Sequence, residues 1–314
     1  MYILTIALMT FKRPDNALSV IPQISDLCLK RSDINFIVIS ECELDKPTWS
    51  LLEGISSKYN FKLIDGESNG FNGAFCKSII NSQGKYCIHM SDEDDLNLAN
   101  INKLIDFLYS VSPDVVVSNY QVMRSKKPIK VRKNITRKIS QFEYFHLYHN
   151  PGMIWHVNNS KFVIMLLSNS WSIKFPNLYK YYPHLLIILY FFRNNNSYFL
   201  NQYLLTQSRF SIDHHPLTSY GRYSHFVSRI IQFFEIENYL LFLDKYHCLD
   251  AFSYNNLITY HKKSFFSYFI THYSLSGLNK EISFSKGFVF NLLPYFFLRK
   301  NYFRIKNFFS KLFH

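Results

Sequence analysis

The first 120 residues alternate between short apolar runs and segments whose apolar residues recur at helical spacing. The apolar runs have the length of strands and the other segments have the length of helices. The predicted strands are residues 3–9, 35–40, 61–65, 85–90 and 114–120. The predicted helices are residues 13–30, 47–58, 70–83 and 96–111. Strands that alternate with helices are typical of βαβ units, so the pattern predicts an α/β fold with a mostly parallel sheet flanked by helices.

The pattern changes after residue 120. Residues 123–138 are rich in Lys and Arg and contain no acid, and the chain from residue 216 onwards has a helical, basic and aromatic pattern. Residues 1–120 carry 10 Lys and Arg against 15 Asp and Glu, whereas residues 121–314 carry 25 against 7. A basic half rich in aromatic residues favours an anionic membrane surface as partner over nucleic acid.

Cysteine usage and the apolar runs indicate a protein that stays on the cytoplasmic side of the membrane. The five cysteines form no CxxC pair, which fits a reducing compartment. The charges near the N-terminus follow the first apolar run, contrary to the order in a signal peptide. The longest apolar run, residues 185–192, is too short to span a bilayer. We therefore expect a protein that does not cross the membrane.

Four consecutive acidic residues, "DEDD" at 92–95, directly follow the predicted strand at 85–90. Neighbouring carboxylates repel one another unless a positive charge neutralises them, and Mg²⁺ or Mn²⁺ prefers oxygen ligands. In an extended chain Asp92 and Asp94 point to the same side and Glu93 points away. The alternative is a solvated acidic turn that caps the next helix. Both interpretations are open from this segment alone.

Polar loops follow three further predicted strands, at residues 10–13, 40–45 and 65–70. The carboxyl ends of parallel strands meet at one edge of a sheet, and ligands bind there. The sequence therefore predicts that these loops and the acidic segment line one site.

In the order and spacing of these features, residues 2–120 resemble the family 2 glycosyltransferases of GT-A fold, which transfer a sugar from a nucleotide-sugar donor. "ILTIALMTFKRPDNAL" is similar to the family's opening strand and T-x-N-R loop, and "INFIVISECELD" to its second strand, which ends in an acidic residue. "SNGFNGAFCKSIINSQGKYCIHMSDEDD" resembles the stretch from an Asn-Gly loop to the metal-binding Asp-x-Asp. Lys12 replaces the usual Asn, and Glu41 with Cys42 replaces Asp-Asn, so the donor base is left open.

The resemblance implies roles for residues at the matching positions. The nucleotide-sugar site would comprise Thr10, Arg13, Glu41, Asp65 and Asp92, with Glu41 on the base or ribose. A cofactor ion, Mn²⁺ or Mg²⁺, would be held by Asp92 and Asp94, with Asp95 as a substitute ligand.

An inverting transfer needs a general base for the acceptor hydroxyl. The family usually supplies an Asp or Glu from its acceptor half, but residues 144–212 contain no acid. His184 is the nearest replacement by position and chemistry, which makes it the candidate catalytic residue. Trp155 and His156 are candidates for the acceptor site, because flat aromatic rings stack on sugar faces. Packing in the core is the competing explanation for all three.

The last 21 residues, 294–314, have the pattern of an amphipathic helix. The apolar positions at i+3 and i+4 spacing are Tyr295, Leu298, Tyr302, Ile305, Phe309 and Leu312. The positive charges are Arg299, Lys300, Arg304, Lys306 and Lys311, and the segment has no acid. Such a helix is typical of contact with the headgroups of an anionic bilayer. The alternative is a helix that docks on the protein's own core.

Together these features predict a metal-dependent, inverting glycosyltransferase that is peripheral on the inner face of the cell membrane. Its acceptor would be a glycan or lipid-linked glycan in bacterial surface-polysaccharide synthesis, such as O-antigen or capsule. Residues 1–120 would bind the nucleotide-sugar, residues 121–215 the acceptor, and residues 216–314 would form a helical extension with the membrane-surface helix. The alternatives are a sugar nucleotidyltransferase, which would need a Gly-rich loop where "TFKRPDN" has no glycine, and a non-catalytic basic module that binds membrane or nucleic acid.

Overall fold

The chain divides into two units, Met1–Asp250 and Ala251–His314. The computed structural model describes residues 1–67, 70–124, 127–130, 136–139, 150–191, 196–209, 226–245 and 258–259. All of these except 258–259 lie in the first unit. The amphipathic segment 294–314 lies outside the described residues, so its role stays a prediction.

The first 124 residues form the predicted alternation of strands and helices, with one added strand. These elements are β1 (Leu4–Met9), α1 (Pro14–Lys30), β2 (Ile34–Ser40), α2 (Lys46–Ser56), β3 (Lys62–Asp65), α3 (Gly70–Asn81), β4 (Tyr86–Ser91), β5 (Asp94–Leu96), α4 (Leu98–Val111) and β6 (Val115–Arg124). The added strand is β5, which takes up the residues where the last helix was predicted to begin. That helix therefore starts at Leu98 and not at residue 96.

The remaining described elements complete the sheet and add helices. They are β7 (Lys127–Lys130), β8 (Arg137–Lys138), β9 (Met153–His156), α5 (Val157–Lys174), α6 (Pro176–Tyr181), α7 (Pro183–Phe191), β10 (Ser197–Gln207) and α8 (Phe226–Lys245). None of the helices in the described part of the chain is long and apolar enough to cross a membrane.

One sheet runs through the first unit in the order β3-β2-β1-β4-β9-β6-β10-β5, with β7 beside β6 and β8 beside β10. Strands β1 to β4 are parallel to one another, and β6 is parallel to β10. Strand β9 lies antiparallel between β4 and β6, and β5 is antiparallel to β10. The predicted mostly parallel α/β sheet is confirmed. Strands β6, β9 and β10 continue the sheet begun by β1 to β4, so residues on both sides of position 120 contribute to one sheet.

Helices cover the sheet on both faces. One face packs against α1, α2 and α4 through residues such as Ile6, Leu52 and Ile101. The other face carries Ala7 and Cys87 and packs against the segment that begins α5 and against α3. Parallel strands that are covered on both faces consist of continuous apolar runs. This is why these strands could be predicted from the sequence.

Helix α8 belongs to the first unit, although the predicted extension starts at residue 216. The Glu235 carboxylate accepts hydrogen bonds from the backbone N–H groups of Asn177 (3.1 Å) and Leu178 (2.6 Å). These N–H groups open α6 and have no partner within that helix, so Glu235 caps α6 from a distant part of the chain. The first unit, Met1–Asp250, therefore includes α8, and the functional division at residues 120 and 215 stays a prediction.

Candidate functional site

The acidic segment lies at the carboxyl edge of the sheet, where β4 ends beside β1. Asp92 is buried, and its Oδ2 accepts a hydrogen bond of 2.6 Å from the Thr10 hydroxyl. Its Oδ1 lies 2.9 Å from Nη2 of Arg13 and accepts from the Ser91 hydroxyl at 3.2 Å. The structure thus brings together Thr10, Arg13 and Asp92, three residues that the sequence placed in one site.

Asp94 opens β5 and is also buried. Its Oδ1 accepts a hydrogen bond of 2.7 Å from the Tyr120 hydroxyl, and its Oδ2 accepts one of 2.9 Å from the Ser91 N–H. Tyr120 lies on β6, two strands away from β4 in the sheet. Tyr120 was not among the predicted site residues, although it lies at the end of a predicted strand and so at the same edge as the acidic segment.

Glu93 does not point away from this cluster, so that prediction is wrong. Residues 92 and 93 form a turn between β4 and β5, and a turn breaks the alternation of an extended chain. Glu93 forms an ion pair with Arg13, which also contacts Asp92. It also accepts a hydrogen bond of 2.9 Å from the side-chain amide of Gln207. The Arg13 guanidinium is therefore shared by two carboxylates.

Asp95 faces a different cation from its neighbours. Nη2 of Arg209, just beyond β10, lies 2.7 Å from Oδ1 of Asp95. The N–H groups of Ser208 and Arg209 bond to the backbone oxygen of Glu93, so the end of β10 is tied to the acidic segment. Arg209 and Gln207 carried no signal in the sequence, because nothing local predicts that β10 returns beside β5.

Burial raises the pKa of Asp92 and of Asp94. For Asp94 the pKa reaches about 6, with the charges of Glu93 and Asp92 adding to the effect and the Tyr120 and Ser91 hydrogen bonds opposing it. For Asp92, Arg13 and the Thr10 hydrogen bond oppose the shift. Both carboxylates therefore lie where an additional positive charge would be favourable.

The donor set of this segment fits a hard divalent cation. Its side chains offer carboxylate oxygens, and the guanidinium groups of Arg13 and Arg209 form ion pairs with three of the four carboxylates. In the described part of the chain no three Asp, Glu, His or Cys residues surround a common metal position. A cation on Asp92 and Asp94 would therefore have to displace Arg13 or share Asp92 with it. The metal assignment, including Asp95 as substitute ligand, stays a prediction.

Two further acidic residues lie at the ends of β2 and β3. Oδ1 of Asp65 accepts hydrogen bonds from the N–H groups of Cys42 (3.1 Å) and Glu67 (3.0 Å), so it joins the two loops. Glu41 is buried, and its carboxylate lies directly against Gly66. The predicted nucleoside contacts Glu41 and Asp65 thus lie in adjoining loops at the carboxyl edge.

Asp45 is a residue of this edge that the site prediction left out. Its Oδ2 accepts a hydrogen bond from the N–H of Lys12, and Lys12 has a left-handed backbone with φ of +55°. Non-glycine residues rarely adopt this conformation without support from their surroundings. Asp45 therefore holds the loop that carries Thr10 and Arg13 in place. The signal was present, because Asp45 ends the acidic loop "SECELD".

Trp155 and His156, the predicted acceptor-site residues, lie away from the acidic segment. Strand β9 runs antiparallel to β4, and His156 pairs with Tyr86, the first residue of β4. At about 3.3 Å per residue, this position is roughly 16 Å from the end of β4 at Ser91. Trp155 is fully buried and packs edge-on against Phe75 in this conformation. The direction of β9 sets both positions and cannot be predicted from its own sequence, and the acceptor-site role of the two residues stays a prediction.

His184, the predicted base, is buried near the start of α7. Its ring centroid lies 5.8 Å from that of Tyr182 and 6.3 Å from that of Phe75. These contacts give His184 a packing role in this conformation. Its catalytic role stays a prediction.

We expect Gly66→Ala to weaken nucleotide binding with little effect on stability. A Cβ at Gly66 would lie 2.5 Å from Oε1 of Glu41, so the carboxylate has to move. The moving atoms are the end of a flexible side chain, and we expect the free energy of unfolding to change by less than about 1 kcal/mol. Losing a charged hydrogen bond to the nucleoside lowers affinity about 10- to 100-fold. Calorimetric titration with nucleoside diphosphates checks this, and unchanged affinity would remove Glu41 from the site.

Solved structures similar to this chain come from S. aureus TarS, a family 2 glycosyltransferase. TarS residues 1–349 with UDP-GlcNAc superpose with a TM-score of 0.62 at 14% identity, covering 91% of this chain and 77% of that one. The same fragment with UDP gives a TM-score of 0.59 at 14% identity, covering 88% and 73%. A longer TarS structure gives 0.57 at 12% identity, covering 90% of this chain and 46% of TarS.

No family model and no curated protein sequence matches the chain. At these identities the structural likeness shows the fold, which is a GT-A-like glycosyltransferase fold. The fold expectation drawn from residues 2–120 is therefore confirmed, and it extends well beyond those residues.

Proposed function

We propose that this protein is a glycosyltransferase that moves a sugar from a nucleoside-diphosphate sugar to a glycan acceptor. The observation that carries the proposal is the convergence of Thr10, Arg13 and Asp92 in direct contact at the carboxyl edge of a GT-A-like sheet. Glu41 and Asp65 lie in the neighbouring loops of the same edge. In open α/β sheets this edge is where ligands bind. The TarS fragments that share the fold were solved with UDP and UDP-GlcNAc, which supports a nucleotide-sugar donor.

Each residue of the site has a distinct part in this proposal. Glu41 and Asp65 contact the nucleoside, while Arg13 supplies a positive charge for the diphosphate. The hydroxyl of Thr10 and the guanidinium of Arg13 hold the Asp92 carboxylate in one orientation, and Tyr120 does the same for Asp94. Preorganised charges of this kind lower the barrier, because they need not reorient during the reaction.

Metal dependence is part of the proposal. Asp92 and Asp94 would hold Mn²⁺ or Mg²⁺, and the raised pKa of both carboxylates marks a place where positive charge is favourable. A cation held there would supply positive charge for the negative charge that develops on the departing nucleoside diphosphate. The acceptor hydroxyl must lose its proton, and His184 is the proposed base for an inverting transfer. Its burial requires that its surroundings open when the acceptor binds.

The acceptor and cellular setting follow from the basic half of the chain. Residues 121–314 carry 25 Lys and Arg against 7 Asp and Glu, and the segment 294–314 has the amphipathic pattern of a membrane-surface helix. We propose a lipid-linked glycan acceptor at the inner face of the cell membrane, in the synthesis of a bacterial surface polysaccharide. A protein held at that surface meets a lipid-linked acceptor at high local concentration.

Thermal unfolding with UDP, GDP, CDP and dTDP, each with and without Mn²⁺, tests the donor assignment. We expect UDP to raise Tm by about 5 °C or more at a hundredfold excess over its Kd, and only when Mn²⁺ is present. Mn²⁺ without nucleotide is the control for binding of the metal alone. A non-catalytic module would bind none of the four, and a sugar nucleotidyltransferase would release pyrophosphate from a nucleoside triphosphate. Either result would overturn the proposal.

A further inference from the structure

Helix α5 is apolar on the face that it turns away from the protein. Its inner face packs through Val163, Leu167 and Trp171, which are buried. On its outer face Met165 and Ile173 are each 79% exposed, and Phe162 and Leu166 are each 56% exposed. A helix on a protein surface normally turns polar residues outward, and large exposed apolar patches mark interaction sites.

The outer apolar residues lie on one side of the helix and form a stripe. Positions 162, 165, 166 and 173 follow the 3.6-residue period of a helix, so their side chains lie on the same side. The stripe extends over about 16 Å of the helix axis, at 1.5 Å per residue. Small polar residues, Asn169 and Ser172, fill the remaining outward positions.

The stretch of chain that contains this stripe carries charge of one sign. Residues 150–191, which contain α5, include Lys161, Lys174 and Lys180 but no Asp or Glu. Lys174 and Lys180 are exposed. An apolar stripe flanked by lysines is the pattern of a helix that lies in the headgroup region of an anionic bilayer, with lysine ammonium groups reaching the phosphates.

Two protein partners fit this surface less well. The chain's own segment 294–314 is apolar on one side, but it carries five Lys and Arg and no acid. Docking it on α5 would bring like charges together. A second copy of α5 would likewise bring an acid-free, lysine-bearing helix against its equal. An anionic lipid surface has charge opposite to both.

The position of α5 in the fold relates this surface to the site. The helix starts beside the first residue of β4, and Nζ of Lys161 bonds to the backbone oxygen of Ser82 near the end of α3. After α5 ends, the hydroxyl of Tyr179 on α6 reaches Sγ of Cys76 in the middle of α3. Since α3 starts at the carboxyl edge of the sheet, the end of α5 lies nearer that edge than its start does.

We infer that the outer face of α5 is a docking surface for an anionic membrane. This deepens the membrane-surface part of the proposed function, and it rests on a different segment from the one at 294–314. The surface binds lipid headgroups and the upper part of the acyl chains through Phe162, Met165, Leu166 and Ile173. It holds the acceptor half of the protein against the bilayer.

Vesicle binding of the full-length chain tests the inference. The probes are phosphatidylcholine vesicles with and without phosphatidylglycerol, and the variant combines Met165→Gln with Ile173→Gln. The control combines Leu29→Gln on α1 with Tyr109→Gln on α4, where the native side chains are 75% and 63% exposed on the opposite helical layer. We expect the α5 variant to bind anionic vesicles about tenfold more weakly, which is the factor that one or two buried methylene groups supply. The control is expected to bind as the wild type does.

Three results would overturn the inference. Equal binding by wild type and α5 variant removes α5 from the membrane contact. A wild-type dimer that the α5 variant dissociates, measured by analytical ultracentrifugation, assigns the face to a second copy. A Tm of the α5 variant well below that of the control assigns the face to a segment of the chain itself. Because no nucleotide-sugar is present, none of these results bears on the transferase proposal, and failure of the nucleotide test does not affect vesicle binding.

Discussion

Asp94→Asn is expected to lower the rate of sugar transfer about a thousandfold, while the metal-free protein becomes more stable at neutral pH. The loss of activity follows from removing a charged ligand of the proposed cation, beside which the negative charge of the leaving group develops. The gain in stability follows from burial, which makes the ionised Asp94 carboxylate costly in the folded protein. A residue that impairs the fold and is needed for activity is typical of a functional site.

The direction of the pH dependence follows from the pKa of Asp94. Folding raises this pKa from 3.8 to about 6, so the folded protein favours the protonated form. The stability that Asp94 contributes is fully present below pH 3.8 and is lost as the pH rises through about 6. A difference of about two between the pKa values corresponds to as much as about 3 kcal/mol. Asn mimics the protonated form, since its oxygen can accept from Ser91 and its amide can donate to Tyr120.

Denaturant unfolding in EDTA, near pH 4 and near pH 8, measures this effect. We expect Asp94→Asn and the wild type to differ little at the lower pH, and the variant to be more stable by about 1 to 3 kcal/mol at the higher pH. Asp26→Asn, at an exposed position on α1, is the control for removing one negative charge. Mn²⁺ is expected to stabilise the wild type and the Asp26 variant but not the Asp94 variant. Full transferase activity in Asp94→Asn would exclude Asp94 from the metal site.

Gly84→Ala is expected to destabilise the fold by about 3 kcal/mol or more, which is a large part of the stability of an ordinary domain. Gly84 is buried where the chain enters β4, and its N–H donates a 2.9 Å hydrogen bond to the Thr5 hydroxyl. A Cβ there would lie 2.6 Å from the Thr5 nitrogen, 2.7 Å from the Leu4 carbonyl carbon and 2.9 Å from the Tyr86 oxygen. All three are backbone atoms in or beside the paired central strands β1 and β4, so no side-chain rotation relieves the clash.

The matched control is Gly54→Ala on α2, where a Cβ would meet no atom within 4 Å. Alanine is a better helix former than glycine, so we expect this variant to be more stable than the wild type by about 0.5 to 1 kcal/mol. Denaturant unfolding of the two variants beside the wild type measures both effects. If the free energy of unfolding of Gly84→Ala lies within about 1 kcal/mol of the wild-type value, β1 and β4 separate more readily than their packing implies.

The stability of the loops around the site depends on contacts between distant residues. Thr10 and Asp92 are 82 residues apart, and Tyr120 and Asp94 are 26 residues apart. Asp45 supports the strained backbone of Lys12 across 33 residues. These three contacts join different strands or the loops that follow them, so the site is rigid only when the sheet is complete.

The strands and helices of the first 124 residues could be predicted from the sequence because their patterns are local. A strand buried on both faces has to be apolar throughout, and a helix has to repeat its apolar residues every three or four positions. The same logic placed Thr10, Glu41, Asp65 and Asp92 at one edge, since parallel strands share the direction of their carboxyl ends. The order of these motifs was enough to predict the GT-A-like fold.

The sequence therefore determined the alternating elements, the common edge and the identity of the acidic cluster. The tertiary structure decided what surrounds that cluster: the turn that brings Glu93 to Arg13, the return of β10 with Arg209, and the Tyr120 hydroxyl on Asp94. It also decided that Trp155 and His156 lie far from the cluster, because β9 runs in the opposite direction. Strand direction and pairing partners depend on contacts between residues far apart in the chain, and no local pattern of apolar and polar positions encodes them.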